Sequence, residues 1–73
     1  MAVSYDKLWK KVQDNGMKKM DLLNAIKMGP STLSKLSKNQ DVSMDVLKRI
    51  CEYFSCDIGD IVEIVHDERE GER

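Results

Sequence analysis

The side chains best suited to bind another molecule lie between Pro30 and Lys38. Leu33 and Leu36 are spaced so that a helix would turn both of them toward a core. The outer face of that helix would carry small or flexible hydrogen-bonding side chains, which are Ser31, Thr32, Ser34 and Lys35. Hydroxyl and ammonium groups on so slender a helix can reach base edges in the roughly 12 Å wide major groove of DNA. Residues 30–38 are therefore predicted to form a recognition helix.

Charge is distributed unevenly around this segment. Residues 7–38 contain eight lysines and two acidic residues, which leaves a net charge of +6. Residues 39–73 contain four basic and ten acidic residues, a net charge of −6, and Asp6 completes the formal total of −1. A total near zero would argue against a polyanionic partner. The concentration of lysines in one half instead predicts a basic face that favours a nucleic acid.

Four residues at the ends of two successive helices are predicted to contact phosphates. Lys18 and Lys19 lie at the amino end of the helix before Pro30, where backbone N–H groups and the helix dipole already favour an anion. Lys38 and Asn39 lie at the far end of the recognition helix, where the adjacent DNA backbone would pass. Double-stranded DNA is therefore the predicted partner.

No group of residues fits a catalytic, metal or cofactor site. The chain has one histidine, His66, and two cysteines, Cys51 and Cys56, whereas structural zinc usually takes about four nitrogen or sulfur ligands. Asp57 and Asp60 have the spacing of a helix-capping pair. A Gly-rich phosphate loop and a nucleophile–base pattern are both missing. We therefore predict no enzymatic activity, no cofactor, no metal and no small-molecule ligand. The two cysteines are predicted to be buried free thiols in a reducing cytoplasm.

Apolar residues recur at helical spacing along most of the chain, which predicts an all-α fold of five short helices between residue 4 and about residue 62. The first helix would begin at a Ser4 N-cap and end at Asn15-Gly16. The others would span about 19–26, 30–38, a longer segment capped by Ser43, and a short segment capped by Asp57. The β-branched run from Ile61 to Val65 could instead form a short strand that pairs with residues 2–4.

Two helices joined by a short turn match the helix-turn-helix unit, and the residues themselves resemble a known family. KKMDLLNAIKMGPSTLSKLSKN resembles the helix-turn-helix of phage repressors and Cro proteins, small bacterial transcriptional regulators with a lambda-repressor-like fold. SMDVLKRICEYFSCDIGDIV resembles the segment that packs behind the recognition helix in that family. The likeness covers about residues 5–65. YDKLWKKVQDNGMKKMDLL and TLSKLSKN further resemble a compact subgroup that includes VanU-type regulators of glycopeptide-resistance gene clusters.

The resemblance implies a role for each matching position. The family's phosphate contact at the start of the second helix falls on Lys19. Its base-reading positions fall on Pro30, Ser31 and Lys35, with Thr32 and Ser34 beside them.

Three positions depart from the family pattern. Lys27 replaces the usual turn glycine and must adopt a positive φ or shift the turn. Gly29 replaces the usual N-cap serine, which removes a cap but keeps flexibility. Pro30 replaces a frequent glutamine, so one base contact is predicted to be absent.

One helix-turn-helix domain is predicted over residues 1–66, with the helix-turn-helix at 18–39 and a charged, disordered tail at 67–73. Two domains on half-sites about 34 Å apart would form a homodimer. Its contacts are predicted around the last helix, at Tyr53, Ile58, Val62 and Ile64. No apolar run approaches the ~20 residues of a membrane helix, and the amino terminus lacks a secretory signal. We therefore expect no membrane partner and a place in the bacterial cytoplasm, at the nucleoid.

An alternative function uses the same fold without DNA. The departures at Lys27, Gly29 and Pro30, together with the acidic second half, also fit a protein-interaction module such as an antirepressor or an antitoxin-like partner. Salt dependence separates the two functions, because each phosphate contact adds about −0.9 to the log–log slope of duplex binding.

Overall fold

Four α-helices and two short strands form residues 2–66, the part of the chain that the computed structural model describes. In chain order the elements are β1 (Ala2–Ser4), α1 (Asp6–Asp14), α2 (Lys19–Ile26), α3 (Pro30–Ser37), α4 (Met44–Phe54), a 3-10 turn (Ile58–Asp60) and β2 (Glu63–Val65). The helix-turn-helix predicted at residues 18–39 thus corresponds to α2 and α3. The tail predicted at 67–73 lies outside the described residues.

The predicted fifth helix is wrong, and the strand pair considered beside it is confirmed. Only three residues after Asp57 form a helical turn, of the tighter 3-10 type. The β-branched residues that follow favour extended backbone, and β2 pairs antiparallel with β1, with Val3 opposite Ile64. The fold is therefore mostly helical with a small two-stranded sheet, and the all-α description needs this correction.

The start of α1 also differs from the prediction. Ser4 belongs to β1, so the N-cap position falls to Tyr5, whose side chain makes no capping hydrogen bond. The Ser4 hydroxyl still accepts a hydrogen bond from the Asp6 N–H at 3.3 Å. Pairing with β2 explains the shift, because it holds Ser4 in extended backbone and delays the first helical residue.

One core joins all four helices to the segment before β2. Its fully buried aliphatic residues come one from each helix and one from after the 3-10 turn, and they are Leu8, Leu22, Leu36, Ile50 and Ile61. Burying each such side chain contributes roughly 1.5–3 kcal/mol relative to leaving it exposed. The core therefore fixes α3 through Leu36, whereas Leu33, predicted to be buried as well, lies half-buried at its margin.

Candidate nucleic-acid interface

The outer face of α3 is exposed and carries no large apolar side chain. Pro30 occupies the first helical position after the Gly29 N-cap, where its missing N–H leaves no hydrogen bond unmade. The predicted reading positions Pro30, Ser31, Ser34 and Lys35 are exposed, and Thr32 is half-buried. Because residues three and four apart share one helix face, Ser31, Ser34 and Lys35 project together.

The turn between α2 and α3 accommodates the unusual Lys27. This residue adopts the left-handed conformation, with φ 56° and ψ 46°, and closes α2 by donating its N–H to the Leu23 carbonyl. The N–H of Met28 donates to the same carbonyl at 3.1 Å, and its side chain is buried in the core. Positive φ, one of the two outcomes predicted for Lys27, is therefore the one observed.

The amino end of α2 presents two exposed lysines. The N–H of Lys18, the N-cap residue, donates to the Asp21 carboxylate at 2.8 Å, so the N–H of the N-cap already has an acceptor. The Lys19 ammonium lies 4.7 Å from the centroid of the Trp9 ring and 3.4 Å from the Ser37 hydroxyl oxygen at the end of α3. The start of α2 and the end of α3, both predicted to contact the DNA backbone, therefore meet at Lys19.

This arrangement matches a known family of nucleic-acid-binding domains. Residues 7–67 match the Cro/C1-type helix-turn-helix DNA-binding domain. The chain belongs to this family. The chain is similar to the crystal structure of the transcriptional regulator VanUg, with 50% sequence identity and a TM-score of 0.86. The match covers 90% of this chain and 88% of the VanUg chain. No curated protein matches the chain significantly.

These similarities confirm the resemblance to phage repressors, Cro proteins and VanU-type regulators that the sequence indicated. The structure of this Cro/C1-type domain also explains why two departures from the family pattern preserve the fold, because Lys27 adopts the left-handed conformation described above and Gly29 needs no special backbone conformation. The extended backbone of Gly29, with φ −78° and ψ 160°, is open to any residue. Because glycine has no side chain that could cap the helix, the N–H groups of the first turn of α3 lack a side-chain acceptor from the N-cap.

Asn39 has a structural role in this Cro/C1-type domain that the sequence did not reveal. It adopts the left-handed conformation, with φ 55°, just after α3. Its side-chain oxygen accepts a hydrogen bond from the Tyr5 N–H at 3.2 Å, and the Tyr5 hydroxyl donates to the Gln40 carbonyl at 2.7 Å. The amide NH₂ of Asn39 takes no part in these two hydrogen bonds. The two residues of each hydrogen bond are separated in the chain by 34 and 35 residues, respectively. Local sequence patterns carry no signal for contacts at such a separation.

The residues predicted for a dimer interface fall into two groups. Tyr53 and Ile64 are each 49% exposed. Ile58 and Val62 are half-buried and pack against the core. Only the first two therefore offer substantial apolar surface to another molecule.

The thiols and acidic residues have local structural roles. Cys51 and Cys56 are free and half-buried, not fully buried as predicted. Burial raises the pKa of the Cys51 thiol, and the adjacent Cys56 thiol and the Asp57 and Asp60 carboxylates act in the same direction. Asp60 accepts the N–H of Asp57 at 3.0 Å, as the capping spacing predicted. Within residues 2–66, no three potential metal ligands cluster, and no helix is long and apolar enough to cross a bilayer.

Proposed function

We propose that this Cro/C1-type domain is a bacterial transcriptional regulator that places α3 in the major groove of a specific DNA sequence. The observation that carries this proposal is the exposed polar face of α3, which rises over the buried Leu36 and is flanked by lysines at both ends. The transcriptional regulator VanUg, with half of its residues identical over nearly the same length, supports the assignment.

Base reading is assigned to the first and second turns of α3. Lys35 can donate to a guanine edge, and the hydroxyls of Ser31 and Ser34 can donate or accept. Thr32 lies beside them with part of its surface exposed. Pro30 offers only its ring, which can make apolar contact but no hydrogen bond. The preference for particular bases is therefore expected to rest mainly on Lys35.

Phosphate binding is assigned to both ends of the helix-turn-helix. Lys18 and Lys19 lie at the amino end of α2, where the helix dipole favours an anion. Lys38 and Asn39 follow the last residue of α3. Contacts of this kind orient a protein on the duplex without reading its sequence.

The deciding experiment starts by selecting bound sites from random duplexes and measuring affinities for the selected site and for an unrelated duplex. Lys35→Ala should weaken binding to the selected site roughly 5- to 150-fold and reduce its advantage over the unrelated duplex. Lys19→Ala should weaken binding to both duplexes and lower the salt slope by about 0.9. Lys48→Ala is the matched control, because Lys48 is an exposed lysine on α4.

Two outcomes would overturn the proposal. If Lys35→Ala and Lys19→Ala both bind the selected site as the unaltered protein does, α3 and α2 do not contact DNA as proposed. If duplex binding shows no dependence on salt, phosphate contacts are absent and the protein-interaction alternative takes its place.

A homodimer is the form proposed to bind DNA in the cytoplasm, since two recognition helices on adjacent half-sites add contacts that one eight-residue helix lacks. The exposed side chains of Tyr53 and Ile64 support a contact at these two residues. Ile64→Gln should weaken self-association in sedimentation equilibrium, whereas Met44→Gln, at a comparably exposed residue, should not. A monomeric unaltered protein at every concentration, with and without DNA, would contradict the dimer.

A further inference from the structure

The Lys19 side chain is held by residues of two other helices. Trp9 comes from α1 and lies under the ammonium, 4.7 Å from ring centroid to Nζ. Ser37, the last residue of α3, places its hydroxyl oxygen 3.4 Å from the same nitrogen. An exposed lysine usually samples many rotamers, so two contacts from separate helices restrict where its charge lies.

We propose that Trp9 is a positioning residue for DNA binding, because its ring holds the Lys19 ammonium at the amino end of α2 before the duplex arrives. This inference rests on the proposed function, in which Lys19 contacts a phosphate. A cation within about 6 Å of an indole centroid is attracted by the ring quadrupole, and tryptophan is the strongest of the aromatic partners. Ordering a side chain before binding reduces the conformational entropy lost on binding.

The nature of the two partners matters as much as their distance. An indole ring and a hydroxyl are both neutral, so they fix the ammonium without cancelling its charge. A carboxylate in the same place would neutralise Lys19 and compete with a phosphate. Within residues 2–66, the structure shows no ion pair between Lys19 and an acidic side chain. Lys19 is therefore both positioned and available to an anion.

The surroundings of Trp9 keep the ring in place and leave the ammonium accessible. The ring is half-buried and packs against the core. Beside it lies an open groove of about 370 Å³ between α1 and α2, whose charged lining residues are Lys19 itself, Lys10, Lys18 and one acidic residue, Asp6. Three lysines against one carboxylate leave the groove with a net positive charge, which attracts a phosphate that approaches from the solvent side.

The test is a double-mutant cycle on affinity for the selected duplex. Trp9→Leu keeps an apolar side chain but removes the aromatic face, and it should weaken binding about two- to five-fold, the effect of an exposed cation–π contact. Trp9→Phe should fall between Trp9→Leu and the unaltered protein. In a Lys19→Met background, Trp9→Leu should cause no further loss, because the ring then has no ammonium to hold. Val46→Ala, at a half-buried residue of α4, controls for general loss of packing.

Each result has one meaning for the proposal. Equal losses from Trp9→Leu in both backgrounds, or no loss in either, would overturn the positioning role while leaving the proposed function intact. Wild-type affinity for Lys19→Met would overturn the positioning role together with the phosphate contact of Lys19, whereas the proposed function falls only if Lys35→Ala also binds the selected site as the unaltered protein does. If Trp9→Leu does not fold, the emission of Trp9, the sole tryptophan, still reports on the contact. Lys19→Met should change that emission in the free protein, and unchanged emission would contradict the contact.

Discussion

The two oppositely charged halves of the chain use their charges in different ways. In the acidic half, the Arg49 guanidinium lies 2.7 Å from the Asp45 carboxylate one helical turn away. In the basic half, Lys19 meets an indole ring and a hydroxyl, and Lys7 donates to the Gly59 carbonyl at 3.2 Å. Within residues 2–66, no lysine of the basic half forms an ion pair with a carboxylate. Charge paired inside the molecule supports its own helix, whereas charge left unpaired is available to a ligand.

The same comparison explains why the net charge of −1 was uninformative. Net charge adds the two halves, but a ligand meets only one surface at a time. A polyanion that approaches α2 and α3 experiences their local field within a Debye length of about 8–10 Å. The lysines of the basic half therefore dominate that encounter.

Removing the support beneath the basic face should have the largest effect. Leu36→Ala deletes a fully buried side chain of α3 and should lower the free energy of unfolding by about 2–5 kcal/mol. Leu33→Ala, three residues earlier and half-buried, should cost distinctly less. Urea unfolding of both variants checks the difference. Equal losses would mean that the two leucines support α3 to the same extent.

A smaller effect, of opposite sign, is expected at the turn of the helix-turn-helix. Lys27 holds a left-handed conformation that costs an L-residue roughly 1–2 kcal/mol and that glycine adopts freely. Lys27→Gly should therefore stabilise the fold by about 1 kcal/mol, since part of the gain is offset by the greater freedom of glycine in the unfolded chain. Thermal unfolding measures the gain. Lys27→Ala, with the same loss of charge, should not stabilise the domain.

Tyr5 contacts the start of the acidic half, where its hydroxyl donates to the Gln40 carbonyl. Tyr5→Phe should cost about 0.5–1.5 kcal/mol in denaturant unfolding at neutral pH, the usual net contribution of one hydrogen bond. A cost near zero would show that water replaces the contact.

This variant should also change the dependence of stability on pH. Burial, reinforced by the charge of Asp41, raises the pKa of the Tyr5 hydroxyl, and a hydrogen bond from the Val42 backbone partly opposes the shift. The folded state therefore keeps its proton to higher pH than the unfolded state. The stability that this provides is complete below the unfolded pKa of about 10 and is lost as pH rises through the folded pKa. The Tyr5→Phe variant has no hydroxyl to titrate at this position, so its stability should decline less over that range.

Sequence predicted those features that depend on local chemistry. The bounds of α2, the Pro30 start of α3 and the Ser43 cap all follow from short-range preferences. The prediction of a fifth helix was wrong because only three residues form a helical turn there, and the β-branched residues that follow pair with β1 as a strand.

Features that depend on distant contacts could not be predicted in this way. The sequence marked Lys19 as a phosphate contact, but its local pattern does not link Lys19 to Trp9. Only the packing of α1 against α2 brings these residues together across ten positions of the chain, and the Ser37 hydroxyl lies near the same ammonium. The hydrogen bonds between Tyr5 and the segment after α3 depend on the fold in the same way.

The smallest expected effect gives the sharpest test of the comparison between the two halves. Arg49 and Asp45 are 49% and 63% exposed, and an exposed ion pair one turn apart on a helix contributes only about 0.3–0.5 kcal/mol. Arg49→Ala should therefore lower stability slightly, with the loss fading at high salt. Like Lys19→Ala, it removes one positive charge, but this charge lies on α4, outside the proposed interface, and already has an acidic partner. The salt slope of duplex binding should consequently stay unchanged for Arg49→Ala and fall by about 0.9 for Lys19→Ala. Equal changes in slope would mean that DNA responds to the total charge of the protein and not to the charges at the proposed interface.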